Sequence, residues 1–297
     1  MLPALLAYLA LTVLAGAVVY VVISFVFAFW FAPRFLFWRK VLSAPYAGLP
    51  APRGLLRAAL WEVPVAAVVF VTMPLGYLLP SGIKAARRLR WGGRPVILVH
   101  GYGCSPSCWL AFQGMLRRRG VRGPMVRFGY NWLACVEPSA RKLARQIAVV
   151  RETSGWDKVD LLAHSWGGIV SRWYIEKLAG APNVHRLVML ATPNRGTWSA
   201  FYAIGCPGTQ LGVGSEVTTS LGPPSPEVPS ALCWSACDNI ATPAPLALPA
   251  ESGPGADERL ARDLELPALG HLSQLWSPRC ADYASAVLRT GSAPESI

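Results

Sequence analysis

The chain has 297 residues, of which 53% are hydrophobic and only 15% are charged, whereas charged residues make up about 25% of an average soluble domain. This composition indicates a membrane-associated protein, and the length fits one large α/β domain with an extra segment or two small domains. The net charge of +12 is concentrated in residues 34–94, which indicates attraction to anionic lipid headgroups; no recognition motif accompanies the charge, so nucleic-acid binding is not expected.

Residues 2–33 contain no charged side chain and form the first predicted element. About 20 apolar residues suffice to span a bilayer as a helix. A signal peptide would begin with basic residues and have a shorter apolar core, so an uncleaved membrane anchor is expected. Aromatic and basic residues at the end of the run fit an interfacial belt: Trp30, Arg34, Phe35, Phe37, Trp38, Arg39 and Lys40.

A second apolar stretch covers residues 63–80 and is interrupted by Pro64, Pro74 and Gly76. It could form a second spanning helix, a re-entrant element or an amphipathic segment packed on the rest of the protein. Residues 1–91 are therefore predicted to be a membrane-anchoring region. The basic loop 34–57 favours the cytoplasmic side for that loop, but five more basic residues in 84–94 argue against export of the other end, so the topology stays open.

From residue 92 to about 290 the pattern alternates between strands and helices. Strands are predicted at 95–100, 121–130, 158–164, 184–192, 231–236 and 263–269, and helices at 139–152, 168–178 and 275–288. This alternation predicts an α/β fold with a mostly parallel sheet and helices on both faces. Residues 197–230 are rich in Gly, Pro, Ser and Thr and are too long for a simple connection, which indicates a functional or partly disordered insertion.

The sequence A-H-S-W-G around Ser165 joins a predicted strand to a predicted helix. It is one residue away from G-x-S-x-G, the sharp turn that exposes a nucleophilic serine in α/β-hydrolases. Small residues flank that serine because strand and helix pass close together; Gly167 meets this need, and Ala163 is one methyl group larger than glycine. The alternative is that Ser165 only caps the helix.

A nucleophilic serine needs a base and an acid, which follow it in the order acid, then histidine. His271 is the one histidine after the serine that also follows a suitable acid; the others are His100, His164 and His185. Asp238, just past the strand at 231–236, is the predicted acid. Other aspartates fit the order or the position less well: Asp157, Asp160, Asp257, Asp263 and Asp282.

Two backbone N–H groups would hold the negatively charged oxygen of the tetrahedral intermediate. One should follow the nucleophile, at Trp166, and the other should lie in the loop after the first strand of the domain. We assign the second to Tyr102, because Gly101 and Gly103 on either side permit a tight turn.

The seven cysteines leave at least one unpaired. Cys104 and Cys108, and also Cys233 and Cys237, are spaced like metal ligands, but no pair of histidines accompanies them, so a zinc site is not expected. One or two disulfides could form instead, with Cys206 pairing to Cys233 or Cys237, and these would require an oxidising compartment.

Five segments of the chain carry a family resemblance: VILVHGYG, LLAHSWGGIVSRWYI, LVMLATPNRGT, SACDNIATP and ALGHLSQL. Together they resemble the bacterial triacylglycerol lipase/esterase group of α/β-hydrolases over about 92–290. Small Bacillus-type lipases of that group also have alanine at the first position of the serine turn. The resemblance implies Ser165 as nucleophile, Asp238 as acid, His271 as base, and Tyr102 and Trp166 as oxyanion donors, with 206–221 in the variable region over the active site.

These features predict a membrane-anchored serine hydrolase that cleaves carboxylic esters, most simply lipids, without a metal or organic cofactor. An acyltransferase with the same triad, or an inactive membrane protein that uses the fold for binding, is the alternative. The expected location is the bacterial inner membrane, with the hydrolase domain on the outer, periplasmic face. Acyl-chain length and head group depend on the shape of the pocket and are not predicted.

Overall fold

A computed structural model describes residues 2–31, 50–79, 93–242 and 264–291. Helix α1 (Leu2–Val26) ends in a π-helical turn (Phe27–Phe31), and helix α2 (Pro52–Thr72) is followed by the short helix α3 (Leu75–Leu78). Much of the predicted interfacial belt, the aspartates Asp257 and Asp263, and most of the basic segment 84–94 lie outside the described residues.

Six parallel strands form one sheet in the order β2-β1-β3-β4-β5-β6. Their bounds are β1 Val96–Val99, β2 Met125–Phe128, β3 Val159–His164, β4 Val184–Leu190, β5 Ser230–Trp234 and β6 Leu264–Glu265. All six predicted strands are thus present. β1, β3 and most of β4 are buried because helices cover both faces, which explains their continuous apolar sequences.

The helices of the domain lie between the strands in sequence. They are α4 Leu110–Arg118, α5 Val136–Ser154, α6 Trp166–Lys177, α7 Cys206–Gln210, α8 Glu216–Ser220 and α9 Pro278–Thr290. Short 3-10 helices lie at Pro106–Trp109, Ala181–Asn183, Trp198–Tyr202 and Ser273–Trp276. The sequence-predicted helices correspond to α5, α6 and α9; α4 was not predicted.

Each face of the sheet has its own hydrophobic core. On one face Ile97 and Leu161 pack with side chains of α5 and α6. On the other face Leu98 and Leu162 pack with α4 and α9, and this second core also contains residues of α1 and α2. The two N-terminal helices therefore share a core with the α/β domain.

By length and composition, both N-terminal helices are apolar and long enough to cross a membrane, over Ala7–Trp30 and Pro52–Thr72. Tyr20 and Phe70 meet edge to face, with ring centroids 5.5 Å apart. The second helix starts before the apolar stretch predicted at 63–80 and continues through Pro64. Whether either helix spans a membrane stays a prediction.

The insertion 197–230 folds into one 3-10 helix and two short α-helices, and several contacts hold it to the domain. Arg172 of α6, itself buried, donates to the carbonyl oxygens of Leu221 and Gly222 at 2.9 and 2.6 Å. A disulfide joins Cys206 to Cys135 at the start of α5. The expected pairing of Cys206 with Cys233 or Cys237 is therefore wrong, because Cys233 lies inside β5 with its Sγ 3.6 Å from that of Cys280.

Candidate active site

Ser165 lies on the turn between β3 and α6, at the carboxyl end of the sheet. Its backbone has φ 54° and ψ −125°, a conformation that non-glycine residues rarely adopt. The Ser165 N–H donates to the carbonyl oxygen of Leu190 at 2.8 Å, and the Ser165 carbonyl accepts from Gly168 at 2.9 Å. A capping serine needs no such strain, whereas strained backbone of this kind clusters at functional sites.

Glycines around the turn allow the backbone segments to approach closely. A Cβ on Gly167 would lie 2.4 Å from the carbonyl oxygen of Val99, and one on Gly168 would lie 2.1 Å from Oγ1 of Thr192. A Cβ on Gly101 would lie 2.8 Å from Cβ of Ser165. Ala163, by contrast, is buried within β3 in register with Val99 and Met189, so its methyl group belongs to the core.

Asp238 and His271 form a buried pair in the loops after β5 and β6. Nδ1 of His271 lies 3.0 and 2.9 Å from the two carboxylate oxygens of Asp238. The same carboxylate accepts from the N–H groups of Ile240 and Ala241 at 2.8 and 2.7 Å and from Nε2 of Gln274 at 2.9 Å. These donors fix the carboxylate in orientation.

The charge of Asp238 controls the protonation of His271. Burial alone would lower the pKa of His271, but the charge of Asp238 and its hydrogen bond raise the pKa above the ordinary value of 6.5, with a smaller contribution from Glu62. The neighbouring His164 is also buried, and burial together with the charge of His271 lowers its pKa well below the ordinary range. His164 therefore stays neutral beside a base that can accept a proton.

The structure brings Ser165 and His271 to the same end of the sheet. His164, the residue before Ser165, places its ring 4.7 Å from the ring of His271, and its Nε2 lies 3.2 Å from the His271 carbonyl oxygen. Ser165, Asp238 and His271 are respectively 3%, 2% and 4% exposed. Asp238 and His271 are thus in contact, His164 connects His271 to the serine turn, and all three predicted residues are largely shielded from water.

The two predicted oxyanion donors border the serine turn. Trp166 is the first residue of α6, and the first N–H groups of a helix have no acceptor within the helix. Tyr102 follows Gly101, whose Cα approaches Ser165 closely, and Gly103 adopts φ +64°. The Tyr102 hydroxyl accepts from the N–H of Ile204 at 2.9 Å, which connects this loop to the insertion.

The N-terminal helices contribute polar groups to the site that the sequence analysis did not predict. Glu62 of α2 is completely buried, and its carboxylate accepts from the N–H groups of Leu272 and Ser273 at 2.7 and 2.8 Å. Ser24 of α1 accepts from the amide of Asn239 at 2.7 Å. The sequence did contain a signal, since Glu62 is the one acid among the basic residues of 34–94.

Within the described residues, no group of three or more His, Cys, Asp or Glu side chains could hold a metal ion. The five cysteines outside the disulfide are all buried. Cys104 and Cys108 interact with each other through a hydrogen bond. Their role is accounted for by packing in the core beneath the oxyanion loop.

Comparisons with known proteins agree with this architecture. Residues 94–204 match a family model described as alpha/beta hydrolase fold. Lipase B of Aspergillus fumigatus superposes with a TM-score of 0.59 at 21% identity, covering 68% of this chain and 54% of that lipase. Lipase BlEst2 of Bacillus licheniformis in its propeptide form superposes with a TM-score of 0.51 at 17% identity, covering 69% and 52%.

This chain spans about half the length of these two lipases. At such identities the likeness concerns the fold, and the family match concerns residues 94–204. The predicted fold is therefore confirmed: residues 94–204 match the alpha/beta hydrolase fold, and lipases are among the structural neighbours of this chain.

Proposed function

We propose that this protein is a membrane-associated serine hydrolase that cleaves carboxylic esters of lipids. The observation that carries the proposal is the strained Ser165 beside the buried pair of Asp238 and His271. The three residues follow one another in the chain in the order that α/β-hydrolases require. A binding protein would have no need for this combination of strain, burial and charge.

In the proposed reaction, Oγ of Ser165 attacks the ester carbonyl carbon while Nε2 of His271 takes the hydroxyl proton. The carbonyl oxygen becomes an oxyanion, which accepts hydrogen bonds from the N–H groups of Tyr102 and Trp166. His271 then gives the proton to the departing alcohol, and an acyl group remains on Ser165. Water, deprotonated by His271, attacks this acyl group. His271 returns the proton to Oγ of Ser165 as the carboxylic acid departs, which restores the free serine. Asp238 stabilises the imidazolium in both half-reactions.

An exposed apolar rim supports a lipid substrate. It comprises the exposed Phe201, Tyr202 and Ile204 at the start of the insertion and the half-buried Phe27 directly after α1. Phe27 stacks on Phe201 with ring centroids 6.3 Å apart and meets Tyr202 edge to face at 4.9 Å. Phe201 and Ile204 are 83% and 63% exposed, and the rim reaches the oxyanion loop through the bond between Ile204 and Tyr102. An apolar surface beside the nucleophile suits substrates drawn from a bilayer.

The disulfide supports the proposed placement of the domain on the outer, periplasmic face. Cys135 and Cys206 are separated by 71 residues and meet only in the folded protein. Disulfides persist in oxidising compartments and are rare in the cytoplasm. Arg53 and Arg57 of α2 and Arg279 of α9 also border a groove with apolar walls. Such a surface suits contact with anionic headgroups.

Fluorophosphonate labelling of the full chain in membranes tests the proposal. The parent protein should be labelled, and Ser165→Ala should not be labelled. Ser171→Ala provides a matched control, because Ser171 lies in the same helix region and its hydroxyl only donates to the Gly167 carbonyl. A panel of esters of increasing acyl-chain length, offered in mixed micelles, then measures the preference for lipids.

Three results would contradict parts of the proposal. A folded parent that is not labelled, even in detergent, would favour a binding protein. Labelling that persists in Ser165→Ala would place the nucleophile elsewhere. If added alcohols receive the acyl group faster than water does, the protein is an acyltransferase that uses the same triad.

A further inference from the structure

We infer that α1 and α2 are parts of the catalytic centre, in which Glu62 and Ser24 position the loop that carries His271. The inference rests on the proposed function, since it concerns the base of that reaction. It gives residues of the predicted anchoring region an effect on the rate that acts through this loop. Glu62 and Ser24 are positioning residues, because they contact the loop and not the substrate.

Glu62 holds the loop by both of its carboxylate oxygens. One accepts from the N–H of Leu272 and the other from the N–H of Ser273, the two residues that follow His271. Gly270, which precedes His271, lies so close that an added Cβ would be 2.4 Å from Oε2 of Glu62. A single buried side chain of α2 therefore contacts the loop on both sides of the base.

Burial makes this arrangement specific. Glu62 is 0% exposed in a helix that is otherwise mostly apolar, and a carboxylate is costly to bury unless donors satisfy it. Leu272 and Ser273 precede and begin a 3-10 helix (Ser273–Trp276), whose first N–H groups lack acceptors within the helix. The Glu62 carboxylate provides the acceptors that these N–H groups lack, and the N–H groups satisfy the buried carboxylate. These bonds fix α2 and the loop relative to each other.

A second contact, from α1, reaches the same loop through Asn239. The amide nitrogen of Asn239 donates to Oγ of Ser24 at 2.7 Å, and its Oδ1 accepts from the N–H of His271 at 2.9 Å. Ser24 in turn donates to the carbonyl oxygen of Val21 at 3.1 Å. Asn239 directly follows Asp238, so this chain of hydrogen bonds connects α1 to both the acid and the base.

Glu62 also acts on His271 by its charge. The titratable groups that face His271 are Asp238, Glu62, Cys104 and His164, which lie on four different segments of the chain. Burial lowers the pKa of His271, and the negative charges of Asp238 and Glu62 raise it. Loss of the Glu62 charge should therefore move the rise of kcat/KM with pH, which follows deprotonation of His271, to lower pH.

The test uses the full chain in detergent micelles and compares Glu62→Gln with Glu137→Gln. Glu137 is an exposed glutamate paired with Arg141, so its variant makes the same chemical change away from the site. Glutamine at position 62 has one acceptor oxygen, whereas the N–H groups of Leu272 and Ser273 each use a separate oxygen of Glu62. We expect kcat to fall about tenfold or more, with KM little changed, and the pH midpoint of kcat/KM to move down. Glu137→Gln should match the parent.

Ser24→Ala keeps the inference testable if Glu62→Gln does not fold. It removes one hydroxyl and changes no charge, and we expect kcat to fall about threefold to tenfold through a looser Asn239. Thr12→Ala is its control, because the exposed Thr12 hydroxyl only donates to the Tyr8 carbonyl in the same helix. Active sites are counted by fluorophosphonate titration, so that kcat refers to folded molecules only.

The outcomes separate this inference from the proposed function. A parent chain that is neither labelled nor active would overturn both. A labelled, active parent whose rate and pH midpoint are unchanged in the folded fraction of Glu62→Gln and in Ser24→Ala would overturn this inference alone. Lower stability with unchanged kcat would likewise reduce both residues to structural roles.

Discussion

Replacing Cys135 and Cys206 by serine should destabilise the protein through the unfolded state. The disulfide closes a loop between residues 71 positions apart. For a loop of that length, the chain-entropy model gives about 4 kcal/mol at 25 °C. The bond also connects the insertion to the start of α5, where the side chain of Gln210 accepts from the N–H of Val136 at 2.8 Å. We therefore expect the insertion to loosen first.

Two measurements on the full chain check this expectation. Alkylation in denaturant without reductant should modify five of the seven cysteines, and reductant should expose the other two. Denaturant unfolding should show the double serine variant less stable by up to about 4 kcal/mol, and a Cys104→Ser variant, which breaks no disulfide, serves as comparison. Seven reactive thiols before reduction, in protein taken from its native membrane, would refute the disulfide and the argument for an oxidising compartment.

Two further predictions concern the turn and the base. In Gly167→Ala, the new methyl group would lie 2.4 and 2.6 Å from the backbone oxygens of Val99 and His100. We therefore expect a loss of about 2–3 kcal/mol in unfolding free energy and no labelling of Ser165. Gly114→Ala is the control: it lies in open space on α4, and its unfolding free energy should rise by about 0.5–1 kcal/mol. In the parent, kcat/KM should rise with pH as His271 loses its proton, with a midpoint above 6.5 because Asp238 raises the pKa; a midpoint below that value would show that the Asp238 charge does not reach the base.

The sheet could be predicted from the sequence because its central strands are apolar runs and because strands alternate with helices along the chain. β3 is a buried apolar run that ends at the serine turn, and β4 has the same character. β6, by contrast, has only two residues, and its pairing depends on where β5 ends. The helix α4 was missed because it starts directly from a 3-10 turn and contains Gly114, so no capping residue marks its beginning.

The site was predictable to the extent that chain order constrains it. Ser165, Asp238 and His271 were found because each follows a strand whose carboxyl end lies at the same edge of the sheet. Glu62 and Ser24 precede the domain by many residues, and no local pattern connects them to His271. Their contacts depend on how α1 and α2 pack on the finished domain. The pairing of Cys135 with Cys206 was missed because the two residues are 71 positions apart and meet only in the folded domain.

The packing of α1 shows why hydrophobicity alone could not separate an anchor from a part of the domain. The helix is apolar on every side, so no periodic pattern identifies a buried face. Its buried residues Ala17, Val21 and Ser24 nevertheless form one stripe, which continues to Ala28 in the π-helical turn. Mostly small side chains at this spacing allow close approach between helices. The opposite side exposes large apolar residues, such as Leu11 at 65% and Ile23 at 58%.

Water would hydrate that exposed face of α1 only at a considerable cost, which supports the proposed membrane association. The stripe and the exposed face together imply that α1 serves two purposes at once. In the proposed function one side meets lipid, while the other supplies Ser24 to the loop of the base. If so, detergents that strip lipid from α1 should change kcat in the parent and have less effect in Ser24→Ala. Equal responses in the two proteins would show that the lipid-facing side and the site are independent.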